Sequence, residues 1–257
     1  MPSPVSAEAV YAVLLPAWFL LAACAFIALQ FRSAAYGRHL RDGWGPTLPS
    51  TVGWVVMELP AVVIPIALWA TSDRITNPVS LTFLALWLLH YGHRTFIWPL
   101  RMRLRGKRMP LTIPVLAFVS NVGIDWLNAV WLFRLSPPPD PSWFTDPRFV
   151  LGALLFVGGM ALNLHSDEVL RRLRAPGETG YRIPHGGGYR WVSCPNYLGE
   201  LIEWSGWAVL TWSMPGLAFA VWAASNLVPR ALQNHAWYRE TFPDYPPERR
   251  ALVPGVL

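Results

Sequence analysis

Residues 8–30 read EAVYAVLLPAWFLLAACAFIALQ, a run in which Glu8 is the only charged side chain. A helix of about 20 apolar residues crosses the hydrocarbon core of a bilayer, which is roughly 30 Å thick. No basic residue precedes the run, and it is longer than the apolar core of a secretory signal, which has about 7–15 residues. We therefore interpret it as a retained membrane helix rather than a cleaved peptide.

Six further apolar stretches of similar length follow the first. The sequence therefore predicts an all-α integral membrane protein with seven transmembrane helices. Composition agrees, because 53% of the 257 residues are hydrophobic and 14% are charged, whereas soluble domains are about 25% charged. The predicted helices occupy about 8–30, 50–70, 78–99, 111–133, 148–166, 196–213 and 214–234.

Lysine and arginine are concentrated in alternate connecting segments, as the preference of basic residues for the cytoplasmic side requires. The pattern predicts an outside N-terminus, a cytoplasmic C-terminus and ordered cytoplasmic loops. Because the net charge of +6 comes from residues between apolar runs, we expect it to set topology and not to bind nucleic acid. The basic segments are 31–49, 100–110, 167–195 and the tail, and the others hold only Arg74, Arg134 and Arg148.

Several polar side chains lie inside the apolar stretches, where they are costly and often functional. Glu58 is in the middle of the second stretch, and Tyr91 and Arg94 lie three residues apart at the end of the third. A structural hydrogen bond from Glu58 to another helix remains an alternative to a functional role. His90 and His93 lack the third ligand that a metal site needs, so no metal is predicted.

Helical spacing aligns further polar residues into three stripes that converge at the inner ends of the last helices. We interpret them as the lining of a cavity for a large anionic ligand. The ligand is not retinal on a Schiff base in the last helix, since Lys107 is the only lysine, and no Rossmann or P-loop glycine motif is present. The stripes are Asn163, Asp167, Arg171 and Arg174; Asn196, Glu200 and Glu203; and Asn226, Arg230, Asn234, His235 and Tyr238.

Five motifs resemble the steroid 5α-reductase family, from about residue 36 to the C-terminus. Met-Glu-Leu-Pro at 57–60 resembles the family's Gln-Glu-Leu-Pro, and His-Tyr-Gly-His-Arg-Thr-Phe at 90–96 resembles its His-Tyr-x-His-Arg-Thr-Phe. The block from Ser166 to Pro184 is similar to its nucleotide-binding loop. The other two motifs are NYLGELIEW at 196–204 and the tail from Trp237 to Pro254.

The resemblance implies a membrane-bound, NADPH-dependent reductase of 3-oxo-Δ4-steroids such as testosterone or progesterone. Tyr91 and Glu58 match the catalytic pair that holds the 3-oxo group, and Trp54 and Met57 match substrate-binding positions. Met57 replaces the usual glutamine, which removes one polar contact near the substrate. The chain 1–257 would form a single domain, with helices on the substrate side in about 1–133 and a cofactor-binding half in about 148–257.

The cofactor-binding residues of the family carry over to twelve positions of this sequence, and arginine suits the phosphates of NADPH. Arg- and Ala-rich, Lys-poor usage indicates a bacterial source, and hence the bacterial inner membrane rather than the endoplasmic reticulum. The twelve positions are Tyr36, Arg94, Arg105, Asn163, Asp167, Arg174, Tyr181, Arg182, Asn196, Glu200, His235 and Tyr238.

Three alternatives remain at this point. A related membrane reductase could act on sterol double bonds or on enoyl lipids. An isoprenylcysteine methyltransferase has a similar C-terminal half, but its cofactor needs no phosphate-binding arginines. A transporter or receptor with seven helices would place polar residues along a path through the membrane, whereas the stripes here cluster toward one face.

Overall fold

Backbone polar groups in hydrocarbon must be paired within the protein, and this chain pairs them mostly in long helices. The computed structural model describes residues 6–102, 106–173, 178 and 180–257. A long helix covers each of the seven predicted stretches. The helices are α1 (Ala7–Phe31), α2 (Ser50–Ala70), α3 (Pro78–Gly92), α4 (Trp98–Arg101), α5 (Thr112–Val130), α6 (Pro147–Arg172), α7 (Pro195–Thr211) and α8 (Met214–Thr241).

Four of these helices are long and apolar enough to cross a membrane. They are α1, α2, α6 and α5 together with the π-helical turn that follows it, Thr112–Leu135. Helices α3 and α7 have 15 and 17 residues, which is below the roughly 20 residues of a full crossing. A second π-helical turn, His93–Ile97, joins α3 to α4. The chain is thus a multi-helix protein with several apolar helices, and the count of seven crossings stays a prediction.

Helix α6 packs tightly against α7 because glycines face each other along their contact. A Cβ atom on Gly199 would lie 2.5 Å from the backbone nitrogen of Asn163, and one on Gly206 would lie 2.5 Å from that of Phe156. Gly159 faces the backbone of Glu203 as closely. Small residues let membrane helices approach until their backbones touch, and here they bring the polar stripes of α6 and α7 together.

Connecting segments on each face of the bundle are tied to one another. Strand β1 (Thr47–Pro49) pairs antiparallel with β2 (Arg108–Pro110) in a two-stranded sheet that the sequence analysis did not predict. Residue Val192 bridges Arg250 of the tail. At the opposite end, Arg74 donates to the carbonyl of Leu132 at 2.8 Å. Arg-rich segments therefore meet Arg-rich segments, and Arg-poor segments meet Arg-poor ones.

Candidate active site

Glu58 is held by two other helical segments. Its Oε1 lies 3.7 Å from Nε of Arg94, and its Oε2 accepts a hydrogen bond from Nδ2 of Asn121 at 3.3 Å. The same amide nitrogen donates to the carbonyl of Met57 at 2.7 Å. The hydrogen bond to another helix that the sequence left open is therefore present, and a cation accompanies it.

Arg94 lies in the π-helical turn His93–Ile97, and its guanidinium lies against two indoles that are in edge-to-face contact with each other. The guanidinium carbon is 4.6 Å from the ring centroid of Trp54 and 4.5 Å from that of Trp98. Such stacking stabilises a partly desolvated cation. π turns occur often at functional sites because they redirect side chains within a helix. Here the turn aims a guanidinium at Glu58.

Tyr91 lies in an aromatic pocket beside this ion pair. Its side chain is buried, and its ring centroid is 5.1 Å from that of Trp87 and 5.7 Å from that of Trp204. Glu58 is near enough to act on Tyr91 electrostatically. Within the described residues no hydrogen bond joins the two side chains, so the Tyr91 hydroxyl is not committed to Glu58.

His90 forms a second buried pair directly behind Tyr91. Its Nδ1 lies 2.8 Å from Oε1 of Glu203 in α7, and both side chains are buried. This contact ties α3 to α7 and uses a ring nitrogen that a metal would otherwise need. Within the described chain, no group of three or more His, Cys, Asp or Glu side chains is arranged to hold a metal ion.

The predicted stripes of α6 and α7 meet at Asp167. Its Oδ2 accepts from Nε1 of Trp98 at 2.5 Å, and its Oδ1 accepts from Nδ2 of Asn196 at 3.1 Å. Nδ2 of Asn163 donates to the backbone oxygen of Asn196 at 3.0 Å. Glu200, one turn after Asn196, interacts electrostatically with Arg94. Because Trp98 also stacks on Arg94, the Asp167 cluster and the Glu58 site are continuous.

Two arginines, the half-buried Arg38 and the buried Arg230, meet the aromatic rings toward the C-terminal end of α8. Arg38 stacks 4.5 Å from the ring of Tyr238 and 4.8 Å from that of Trp237, and Arg230 stacks 3.7 Å from the ring of Tyr36. In the described part of the chain, neither guanidinium has a carboxylate within 4.0 Å, and Nη1 of Arg38 and Nε of Arg230 have no partner.

Neighbouring titratable groups do not neutralise these two cations. Burial raises the pKa of the Cys194 thiol to about 11, so the thiol stays uncharged at neutral pH. Burial also lowers the pKa of His39, whose Nε2 lies 3.0 Å from Oδ1 of Asn234. Two positive charges, one buried and one half-buried, are thus left at one site, and this arrangement favours an anionic ligand.

The remaining predicted residues fall into three groups: those that contact other residues near the site, one that lies at the surface, and two that lie outside the described residues. Met57 and Trp54 pack together beside Met109, Tyr181 contacts Trp237, and Nδ1 of His235 lies 2.6 Å from Oγ of Ser193. Arg182 instead pairs with Glu178 at the surface. Arg105 and Arg174 lie outside the described residues.

Sequence reasoning missed three polar residues near this site. Asn121 and Asp125 are in the fourth apolar stretch, and their polarity within a predicted span was an unused signal. Arg38 looked like an ordinary basic loop residue, and only its three-dimensional surroundings, stacked on the aromatic rings of α8, distinguish it from a solvated arginine.

Comparison with known proteins identifies the family. The family model described as 3-oxo-5-alpha-steroid 4-dehydrogenase matches residues 107–257. The steroid 5-alpha-reductase DET2 of Arabidopsis thaliana is 43% identical over 237 residues, covering 90% of each chain. The chain belongs to the 3-oxo-5-alpha-steroid 4-dehydrogenase family. Two animal relatives agree, both named 3-oxo-5-alpha-steroid 4-dehydrogenase 1: the Bos taurus protein is 39% identical, covering 90% of this chain and 91% of the relative, and the Homo sapiens protein is 38% identical, covering 91% of each.

Membership of this family makes the chain an oxidoreductase and confirms the resemblance found in the motifs. It also decides against the methyltransferase and transporter alternatives. A reductase of this family is consistent with a nicotinamide cofactor, and the apolar helices fit a multi-pass membrane protein. A bacterial source stays an expectation from composition.

Proposed function

We propose that this protein uses NADPH to reduce the Δ4 double bond of 3-oxo-Δ4-steroids to 5α-reduced 3-oxosteroids. The observation that carries the proposal is the position of Glu58 and Tyr91. Tyr91 is buried and the Glu58 side chain is 12% exposed, both interact with Arg94, and Arg94 leads through Trp98 to the Asp167 cluster. The Glu58 and Tyr91 end of this series of contacts suits a ketone, and the Asp167 end suits a dinucleotide.

Tyr91 and Glu58 would polarise the 3-oxo group of the substrate. Reduction of the enone at C5 moves negative charge onto the carbonyl oxygen, and a hydrogen-bond donor in a dry site stabilises that charge. The uncommitted Tyr91 hydroxyl is such a donor. Asn121 and Arg94 hold the Glu58 carboxyl group beside it. The aromatic walls formed by Trp87 and Trp204 exclude water from the reacting atoms.

The residues present fit an anionic dinucleotide. Buried donors without partners, Nη1 of Arg38 and Nε of Arg230, match phosphate oxygens, and Asn163, Asp167, Asn196 and Glu200 can hydrogen-bond ribose and amide groups. When bound, NADPH supplies the hydride. Tyr36, Tyr181, His235 and Tyr238 surround the arginines and are suited to the adenosine half. The exposed pair of Arg182 with Glu178 supports a smaller role for Arg182.

The cofactor preference tests this proposal. A 2′-phosphate forms charge-assisted hydrogen bonds worth about 1.5–3 kcal/mol each, so kcat/KM with NADPH should exceed that with NADH by roughly tenfold to a hundredfold or more. The measurement is steady-state reduction of testosterone or progesterone by the detergent-solubilised protein. Arg38→Gln should weaken NADPH binding by about tenfold or more, whereas Arg134→Gln at the opposite end should not. Equal efficiency with both cofactors would contradict the proposal.

The same proposal includes seven membrane crossings in one domain. Helices α3, α7 and α8 are shorter or more polar than the four that meet the length and hydropathy requirement. Asn196 of α7 hydrogen-bonds Asp167, and Arg230 and Tyr238 of α8 contact Tyr36 and Arg38, so these polar side chains are engaged within the protein. The pairing of Arg-rich segments with one another supports a cytoplasmic cofactor site and an outside N-terminus, in a membrane whose identity depends on the source of the protein.

A further inference from the structure

Helix α5 carries three polar residues on one face. Asn121, Asp125 and Asn128 are spaced at i, i+4 and i+7, which aligns them along the helix. Asn121 donates to Glu58, as described above, and Oδ1 of Asn128 accepts from Nε1 of Trp207 at 3.1 Å. Asp125 lies between them with 0% of its surface exposed. The stripe therefore runs from the Glu58 site along the aromatic pocket of Tyr91.

Asp125 differs from the other carboxyl groups near Tyr91. Glu58 is paired with Arg94 and Asn121, and Glu203 is paired with His90. Both carboxyl oxygens of Asp125 are buried and without a hydrogen-bond partner among the described residues. A buried carboxylate with neither cation nor donor is strongly disfavoured and takes up a proton instead. Asp125 is thus a neutral acid, and its proton has no hydrogen-bond acceptor among the described residues.

Asp125 is also close to the expected reaction. Asp125 lies one helical turn after Asn121, whose amide donates to Glu58, and its neighbours Ile124 and Leu127 belong to the same buried core as Tyr91. If Tyr91 holds the 3-oxo oxygen, C4 lies next to the carbonyl carbon, since it is bonded to it. C4 would then lie within this core, where Asp125 is a candidate proton donor.

We propose that Asp125 is the general acid that protonates C4 of the reduced steroid. This inference rests on the proposed function, because it takes Tyr91 and Glu58 as the carbonyl site. Once C5 has received hydride, the enolate electron pair forms a C4–H bond with the Asp125 proton, and the C3 carbonyl is restored. The O–H bond of Asp125 breaks and leaves a carboxylate, which takes a proton from solvent before the next turnover.

Two substitutions separate proton transfer from hydrogen bonding. Asp125→Asn keeps the shape and a hydrogen-bond donor but has no transferable proton, and Asp125→Leu has neither. General acids contribute about 10²–10⁴-fold to rate, so both variants should lose about 10²-fold or more in kcat, with NADPH binding unchanged. Turnover of Asp125→Asn within about threefold of wild type would overturn the proposal, since it would leave only a hydrogen-bonding or structural role.

Isotope effects distinguish failure of this inference from failure of the proposed function. In Asp125→Asn, protonation of C4 becomes slow, so the effect of D₂O on kcat should rise and the effect of deuterium at the transferred position of NADPH should fall. In Tyr91→Phe, hydride addition becomes slow and the deuterated cofactor should show the larger effect. Normal turnover in Tyr91→Phe refutes the carbonyl site, whereas unchanged isotope effects in Asp125→Asn refute only the role of Asp125.

An infrared measurement tests the protonation of Asp125 without turnover. The difference spectrum between wild type and Asp125→Asn, recorded without cofactor or steroid, should contain the C=O band of a neutral carboxylic acid. Asp140→Asn, which changes an exposed aspartate of the outer loop, is the matched control and should lack that band. A carboxylate signal from Asp125 instead would overturn the proposal. If Asp125→Asn fails to fold, Asp125→Glu retains a proton and should still turn over, and loss of all its activity despite intact NADPH binding would count against the proposal.

Discussion

The Tyr91 hydroxyl is the simplest place to test the chemistry. In the described part of the chain, no hydrogen bond joins it to another protein group. Tyr91→Phe removes this donor and keeps the ring that packs against Trp87 and Trp204. NADPH binding should survive, and steroid reduction should fall by about 10²–10³-fold, the usual cost of one donor to a developing oxyanion. Glu58→Gln keeps a donor beside Asn121 and should be milder than Glu58→Ala, which also opens a cavity.

Separate measurements of kcat and NADPH affinity for these three variants distinguish a catalytic role from a structural one. A Tyr91→Phe enzyme with near-normal turnover would remove the carbonyl site from the mechanism. If both Glu58 variants instead lose cofactor affinity and turnover in parallel, Glu58 is structural, and its contact with Arg94 is then its main role.

Single residues were partly predictable from the sequence. Glu58, Tyr91 and Arg94 stood out because a charge or hydroxyl inside an apolar stretch is costly. The sequence did not predict that Arg94 would contact Glu58, since a π turn does not follow from helical periodicity. Arg38 could not be recognised because its burial depends on rings of α8 that lie about 200 positions away, as its 3.3 Å contact with the Tyr238 hydroxyl illustrates.

At the scale of elements, the α6–α7 contact makes a prediction about adjacent glycines. A Cβ atom on Gly159 would collide with the backbone of Gly199 and Glu203, which no rotamer change relieves, whereas one on Gly158 would meet nothing within 4 Å. Gly159→Ala should therefore lower stability by about 1–3 kcal/mol through overpacking, and Gly158→Ala should be neutral or slightly stabilising. Thermal unfolding in one detergent compares them, and equal midpoints would contradict the close helix contact.

The positions of the helices followed from hydropathy, but their ends and contacts did not. Helix α2 coincides with the predicted 50–70, whereas α6 continues to Arg172, beyond the predicted 166, because Glu168 pairs with Arg171 and Arg172 along the helix. The β1–β2 sheet was missed since each strand has three residues and ends in proline, which is too short for an alternating pattern. Glycines 152, 159, 199 and 206 are visible in the sequence, but their pairing across two helices is not.

At the scale of the whole molecule, the loops sort into two sets. The β1–β2 sheet joins the segment after α1 to the segment after α4, and the segment before α7 contacts the C-terminal tail through Val192 and Arg250. Asn77, in contrast, donates to the carbonyl of Pro139 at 2.9 Å, between two Arg-poor segments. The charge pattern predicted the same division. Basic residues are retained on the cytoplasmic side, so the Arg-rich loops are expected on one side of the membrane and the Arg-poor loops on the other.

The topology follows as the last prediction. If Arg-rich segments lie in the cytoplasm, a reporter fused after Leu257 should read cytoplasmic, and one inserted within 136–141 should read exterior. An insertion beside Gly43, whose φ of 86° and open surroundings mark an exposed turn, is the matched control and should agree with the C-terminal fusion. The contact of Val192 with Arg250 joins the segment before α7 to the tail. In the folded protein, both are therefore expected on the same side of the membrane. Readings on the same side for 136–141 and Leu257 would refute the three crossings predicted between them, and with them the seven-crossing topology.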